Sequence, residues 1–486
     1  MFYNLHTTWQ MVLLLIGLAA FTLVSWRWPK IGAWLVIFLA PLYLLKINSW
    51  PLTVLEALIW VFVGIWIIKK IQNYCHSRES GNPGSFSPGS RVKPGMTKEK
   101  VDEIIKSNLF WPILLVLIGV ALATFFSADR QVSLGILKAW FAAPIIFAVV
   151  FNDIFKRKEG VKVFLAALAA SAASVGLAAL VYLIVGWLTF DGRLSAFYLS
   201  PNHLAMWLVP GLLAGLGLWS EARKTWQKAV LFLVVCFLSF VLYRTYSYGA
   251  WLGLAVAIVF IFFYFWRIKL INWRRLFFAV CLLSFVFASM IFIQLSDGNN
   301  EKLTNLLIYS RSSWQSRLMI WQSAVLILKD HGLIGVGPGL FQPYYLAYQE
   351  YFSGPYLEWA VPQPHNLWLA WWLQAGLLGV AGFLWLVMNF FRQTMLAVKH
   401  HLTPTLSSVE EREKKEGGSN LLEIKPSVVP LGGTTEGKPL LSIILMAVMV
   451  YFLVHGLVDT TFWKNDLALI WWAAIFLGCK VNHRAY

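Results

Sequence analysis

Long apolar runs, separated by short polar clusters, dominate the chain from end to end. A helix crosses a bilayer with about 20 mostly apolar residues. Segments of that kind stand at 10–26, 31–47, 51–68, 109–128, 133–151, 161–187, 203–219, 227–243, 249–266, 275–294, 366–391, 440–458 and 465–479. The run from Met11 to Val24 has the length of a signal-peptide core, but further spans follow it, so it reads as a first membrane helix. Pro51 and the polar break beside it leave the pair 31–47 and 51–68 open to being one broken or tilted element. The pattern predicts an all-α fold, a polytopic transmembrane helical bundle of about 12–13 spans with one large loop. Its parts are helices over 1–70, a linker at 71–108, helices over 109–294, a loop at 295–365, a helix at 366–391, a second linker at 392–439 and closing helices over 440–486.

Composition supports a lipid solvent. Of the residues, 59% are hydrophobic and 13% charged, where a soluble domain carries roughly 25% charged residues. The net charge of +17 resembles that of a nucleic-acid protein at first sight. It is better explained by Lys and Arg gathering in cytoplasmic loops, so no nucleic-acid partner is expected. If the loop after residue 68 is cytoplasmic and every later span crosses, 30 of the 40 Lys and Arg lie inside and nine outside, with Lys138 within a span. That asymmetry sets the orientation and places 295–365 outside. The N-terminus stays open, since twelve spans put it inside and thirteen outside. The four cysteines, Cys75, Cys236, Cys281 and Cys479, imply no disulfide framework. Residues 77–98 and 402–438 are rich in Gly, Ser, Pro or mixed charge and read as linkers that cannot order themselves.

Three stretches on the outer face carry chemistry. The first runs from Asp191-Gly192-Arg193 to Pro201-Asn202-His203 at the head of a span. An outer-face arginine is scarce here, although anchoring by snorkelling would also explain it. The second holds Arg311, Trp314, Arg317, Trp321 and Ala324, spaced to share one helical face, and then Gly335, Gly337 and Gly339. Those glycines permit a tight turn, and their N–H groups would suit an anion. The third is Pro362-Gln363-Pro364-His365-Asn366, where the prolines fix an extended approach and His365 has the near-neutral titration of a proton acceptor. Together these suit a phosphorylated substrate at the outer leaflet, with Arg as the phosphate partner. The outer loops show no metal-ligand spacing, so neither metal nor other cofactor is expected. Aromatic residues from Phe341 to Trp359 either stack on sugar rings or lie in the membrane interface.

The order of these motifs resembles the O-antigen ligase/polymerase superfamily of bacterial envelope enzymes. Arg193–x3–Phe197–x3–Pro201-Asn202–x2–Ala205 is followed by Arg317–x3–Trp321–x2–Ala324, by Gly335–x–Gly337–x–Gly339–x–Phe341 and by His365-Asn366, each in the family's sequence. The likeness covers roughly 190–390, and His455-Gly456-Leu457-Val458-Asp459 looks like its closing motif. The resemblance implies an inner-membrane glycosyltransferase with a periplasmic loop and site. Such an enzyme moves a glycan from an undecaprenyl-diphosphate carrier to an acceptor hydroxyl, of a lipid A core or another glycan, with inversion and without metal.

Carried onto this chain, Arg193 and Arg317 would bind the diphosphate and His365 would take the hydroxyl proton. Arg311, Arg244, Asn366 and Trp321 would contact substrate, Arg311 as a second candidate for the part of Arg317. Two positions depart from the family pattern. Tyr248 stands where an Arg is usual, with Arg244 four residues earlier as a substitute on the same helical face, and Gln374 stands where an acid is often found. Polymerase and protein O-oligosaccharyltransferase are alternatives within the family. A lipid-linked sugar transporter or flippase is the alternative outside it, disfavoured because ionisable residues in the spans are few.

Overall fold

The computed structural model describes residues 3–5, 7–47, 52–79, 108–296, 313–352, 357–416 and 440–480. The Gly/Ser/Pro-rich stretch at 80–107 and Arg311 lie outside them. Fifteen α-helices make up nearly all of the rest.

Helix α1 (Thr8–Arg27) opens on a reciprocal cap, in which Thr7 Oγ1 accepts from the Gln10 amide at 3.3 Å and the Gln10 side chain accepts from the Thr7 amide at 3.1 Å. Helix α2 (Pro29–Phe38) returns with proline in its first turn and tightens into a 3-10 turn at Ala40–Leu44. A small sheet follows, of β1 (Tyr3–Leu5) parallel to β2 (Leu45–Ile47) and β2 antiparallel to β3 (Leu52–Thr53). Pairing β1 with β2 sets the N-terminal strand on the same face as 45–53. Helix α3 (Val54–Glu79) follows the sheet.

Next come α4 (Phe110–Phe125) and α5 (Arg130–Ile154), the latter with a π-helical stretch at Leu137–Ala142. They lead to α6 (Arg157–Val185), α7 (Pro201–Glu221), α8 (Thr225–Arg244), α9 (Tyr248–Arg267) and α10 (Trp273–Ser296). The long loop holds α11 (Ser313–His331) and the short α12 (Phe341–Ala347). Helices α13 (Leu367–Glu416), α14 (Leu440–His455) and α15 (Asn465–Cys479) close the chain.

Seven helices, namely α1, α5, α6, α7, α8, α9 and α13, are long and apolar enough to cross a membrane, and α2, α4, α14 and α15 are shorter apolar ones. The chain is a helical membrane bundle. Helices α14 and α15, at 16 and 15 residues, reach only about 24 Å at 1.5 Å per residue. They can be short because they are buried along most of their length, so the loop between them is sheltered by protein rather than lipid. A second, smaller core, built on Ile320, Ala324, Ile327, Phe341 and Tyr345, holds the outer loop together.

Helix α13 is not the straight span that its apolar run at 366–391 predicts. Gly376 has φ 65 and ψ −173, which breaks the helix into two. Into the break comes the segment after α11: Val336 donates to the Leu373 carbonyl at 2.6 Å and Leu377 to the Leu333 carbonyl at 3.0 Å. The two halves fold back on each other, so that the Trp371 and Phe383 rings stack at 4.5 Å although twelve positions apart. Beyond the break α13 runs antiparallel against α4, with Asn389 Nδ2 donating to the Asn108 carbonyl at 2.6 Å. Helix then continues to Glu416, through part of the stretch expected to be linker. Apart from Pro404, residues 392–416 carry no helix breaker and many helix-forming residues.

Candidate functional site

The site lies where four segments meet: the loop between α6 and α7, the start of α11, the turn into α13 and the loop between α14 and α15. Helix α6 ends on Gly186 at φ 79, and Gly192 turns the following loop at φ 71. Leu194 donates to the Arg244 carbonyl at 3.0 Å, which ties this loop to the end of α8. Arg193 is thereby buried, 9% exposed, with three fixed neighbours. Its Nε donates to the Thr245 carbonyl at 2.8 Å, its Nη2 to Asn202 Oδ1 at 2.9 Å, and its Nη1 lies 3.7 Å from Asp191 Oδ2. Asn202 sits in the first turn of α7, behind Ser200, whose Oγ accepts from the His203 amide at 3.2 Å.

Asn202 passes the connection on, because its Nδ2 donates to Asp459 Oδ2 at 3.0 Å. The other oxygen of Asp459 takes two hydrogen bonds, from the Thr460 amide at 2.8 Å and from His365 Nδ1 at 3.1 Å. Arg193, Asn202 and His365 are thus linked through Asp459, on which the donors from Asn202 and His365 converge. His365 is held through its backbone as well. It adopts φ 46, a left-handed conformation that a residue with a Cβ holds only at a cost of about 1–3 kcal/mol. Trp321 Nε1 donates to its carbonyl at 3.4 Å. On its other side Asn366 Nδ2 donates to the Leu457 carbonyl at 3.0 Å and Leu367 to that of Gly456 at 2.7 Å. The prolines at 362 and 364 lead up to this turn, so the histidine itself is the bend rather than part of an extended run.

Arg317 approaches from α11. Its Nε donates to the Val458 carbonyl at 2.9 Å and its Nη1 to Ser313 Oγ at 2.8 Å. Nη2 makes no hydrogen bond among the described residues, so part of the fork is available to a ligand. Trp321, one turn on, lies edge-on to Trp314 with ring centroids 5.5 Å apart.

Electrostatics follow from this geometry. Burial alone would raise the Asp459 carboxyl, but the charge and hydrogen bond of His365, with His455 and Arg317 beyond, outweigh it and hold the group well below the ordinary carboxylate range. An ionised Asp459 accepts only, so His365 Nδ1 is the donor in their hydrogen bond, and Nε2 is the ring nitrogen left for a ligand. The His365 side chain is 35% exposed, against 6% for its carboxylate partner. For Arg193, burial pulls the guanidinium down, Asp191 opposes this, and the charge of Arg317 pulls it down further.

The structure thus brings Arg193, Arg317, Trp321, His365 and Asn366 together, and leaves other expectations unmet. Arg244 does not stand on one helical face with Tyr248. Tyr246, at φ 46, separates α8 from α9, and the Arg244 guanidinium lies over the Tyr246 ring at 5.9 Å. The glycine segment is not an open anion cradle. The Gly335 amide donates to the His331 carbonyl at 2.7 Å and the Gly339 amide to Gln374 Oε1 at 2.8 Å. Gln374 thus has a packing task, which it completes by donating to Gln363 Oε1 at 2.8 Å. Of the aromatic residues, Phe341 and Tyr345 are core, whereas Tyr351 and Trp359 are 66% and 70% exposed. Among the described residues, no three His, Cys, Asp or Glu side chains are placed to hold a metal ion.

Two members of this cluster escaped the sequence reading as site residues, Asp459 and Asn202. Both stood inside motifs already noted, but nothing local shows that they face each other across 257 positions.

Comparison with known proteins gives one family. Residues 231–384 match the family model described as O-Antigen ligase, a stretch that includes Arg317 and His365 and leaves out Arg193, Asn202 and Asp459. No curated protein matches the chain.

Proposed function

We propose that this member of the O-antigen ligase superfamily transfers a glycan from an undecaprenyl-diphosphate carrier to an acceptor hydroxyl, at the periplasmic face of the bacterial inner membrane. The observation that carries this reading is the part-exposed imidazole of His365, held by a buried ionised carboxylate that Asn202 links to Arg193. In the reaction, the acceptor oxygen attacks the anomeric carbon while His365 Nε2 takes its proton. The bond from that carbon to the diphosphate breaks, and the carrier leaves with its electron pair. Arg317 and Arg193 meet the charge that grows on the diphosphate oxygens, as forked donors suit that geometry. A single displacement of this kind inverts the anomeric centre. It requires no covalent glycosyl-enzyme.

Lipid A core is the acceptor we favour; a growing glycan would make the protein a polymerase, and a protein hydroxyl an O-oligosaccharyltransferase. The test is complementation of a strain lacking the gene, with surface glycan resolved on gels. Wild type restores the ladder on lipid A core, whereas His365→Ala accumulates in the membrane to the same level and restores none. A normal ladder from His365→Ala would sink the mechanism. A single-repeat band in the deletion strain would reassign the protein as a polymerase.

A further inference from the structure

At the bundle face opposite the candidate site, the ends of α1 and α5, the start of α2 and the middle of α3 line a cavity of about 500 Å³. That size is within the range of small-ligand sites. Four cations line it, Arg27, Lys30, Lys69 and Lys70, with Asp153 as the sole acid in the lining. Two of the cations are already matched: Lys70 pairs with Asp153 at 3.0 Å and Lys30 with Glu159 at 2.5 Å. Asp153 is further occupied by Trp66 Nε1, at 2.9 Å. Neither Arg27 nor Lys69 has a carboxylate partner among the described residues. The Lys69 ammonium rests on the Trp26 carbonyl and lies 5.6 Å from the centre of the Trp26 ring. Below these groups the lining turns apolar, with Ile31, Phe62 and Ile65. Trp28, 53% exposed, stands at the rim as an interfacial tryptophan does.

Positive residues scattered over one face need no ligand to explain them, since they orient the protein. Here they converge on a concave site with two charges unmatched and an apolar floor. We infer that this cavity binds the phosphate headgroup of an anionic phospholipid, phosphatidylglycerol or its diphosphatidyl relative, with an acyl chain along Ile31, Phe62 and Ile65. Arg27 and Lys69 hold the phosphate oxygens, and the paired Lys30 and Lys70 keep the walls of the site in place. The site is separate from the transfer chemistry and does not depend on it.

The full-length protein, purified in detergent and examined by native mass spectrometry, gives the test. It is titrated with phosphatidylglycerol, with cardiolipin and with phosphatidylcholine. Wild type retains the anionic lipids in preference to phosphatidylcholine. A double variant, Arg27→Gln with Lys69→Gln, binds them roughly 30-fold more weakly, as expected for two lost charge contacts. A charge-preserving pair, Arg27→Lys with Lys69→Arg, keeps most of the affinity. That pair, with thermal melting in phosphatidylcholine alone, separates loss of the site from misfolding. Equal retention of anionic lipid by wild type and the Gln pair would overturn the inference. So would equal binding of phosphatidylcholine, or displacement by millimolar inorganic phosphate, which would make it a free-anion site.

Discussion

Replacing Asp459 by Asn tests whether the hydrogen-bonded chain through the site matters beyond its members. The substitution keeps size and shape and removes one charge and one acceptor. Asp459 accepts three hydrogen bonds, from His365 Nδ1, the Thr460 amide and Asn202 Nδ2, and it is 4% exposed. An asparagine can satisfy the first two with its oxygen, but its NH2 then points at the NH2 of Asn202. Asn202 can turn its amide to offer an oxygen, yet its NH2 would then face Arg193 Nη2, now 2.9 Å from Asn202 Oδ1. A guanidinium has only donors, so one donor–donor clash remains wherever the amides are flipped.

The magnitude follows from the parts. A buried polar group left unpaired costs about 1–3 kcal/mol, and exchanging a charged for a neutral hydrogen bond to the imidazole about 1 kcal/mol more. If roughly 3 kcal/mol of this falls on the transition state, kcat drops about a hundredfold. The assay is transfer of labelled glycan from its lipid carrier by protein in lipid nanodiscs, with initial rates at saturating donor. A rate for Asp459→Asn within threefold of wild type would refute the reasoning, because the carboxylate would then have no orienting role. Pairing it with Asn202→Asp, which restores an acceptor facing Arg193, should recover part of the loss and would distinguish a positional effect from general damage.

Arg317→Lys retains charge but loses the fork that spans Val458, Ser313 and the free Nη2; transfer falls about 10–100-fold, mostly in kcat, when measured in the same assay. Gly376→Ala places a methyl group 2.5 Å from the Ile334 carbonyl oxygen at φ 65, so the melting temperature in detergent drops and the protein accumulates poorly. The pH dependence of stability has a definite sign. Because the folded Asp459 carboxyl titrates far below its usual 3.8, the stability it confers is fully present above that usual value and is lost only as pH falls towards the folded one. The gap in melting temperature between wild type and Asp459→Asn should therefore persist down to about pH 5 and close in stronger acid.

How much of this was legible in the sequence depended on the range of the interaction. Lipid-facing runs are a local property, so the bundle was readable from hydropathy. The motifs holding Arg193, Arg317 and His365 could each be seen as short strings, since each is positioned by its own helix end or turn. Arg244 was misplaced because four residues were taken as one helical turn, whereas positive φ at Tyr246 ends the helix between them. The pairing of Tyr3–Leu5 with Leu45–Ile47 joins strands some forty residues apart, which no local pattern encodes.

The break at Gly376 shows the same limit in a more consequential way. A glycine inside an apolar run carries no sign of whether it is helical, and membrane helices tolerate many glycines. What makes this one a break is the arrival of Leu333 and Val336, some forty residues earlier, with backbone groups that pair into the gap at 3.0 and 2.6 Å. The glycine at 335 then makes sense as a close-packing position against the same helix, and that at 339 as one against Val132 and Ile136 of α5, rather than as ligands for an anion. Since Leu367 is tied to Gly456 and Val336 to Leu373, the first half of α13 is fixed at both ends, by the closing loop and by the outer loop. His365 lies immediately before that half-helix and Arg317 on α11, so the broken span fixes how the proposed base and the proposed phosphate-binding arm stand to one another. Loss of activity in Gly376→Ala should accordingly exceed the loss of folded protein. A variant that stayed folded and fully active would show that the break is packing alone.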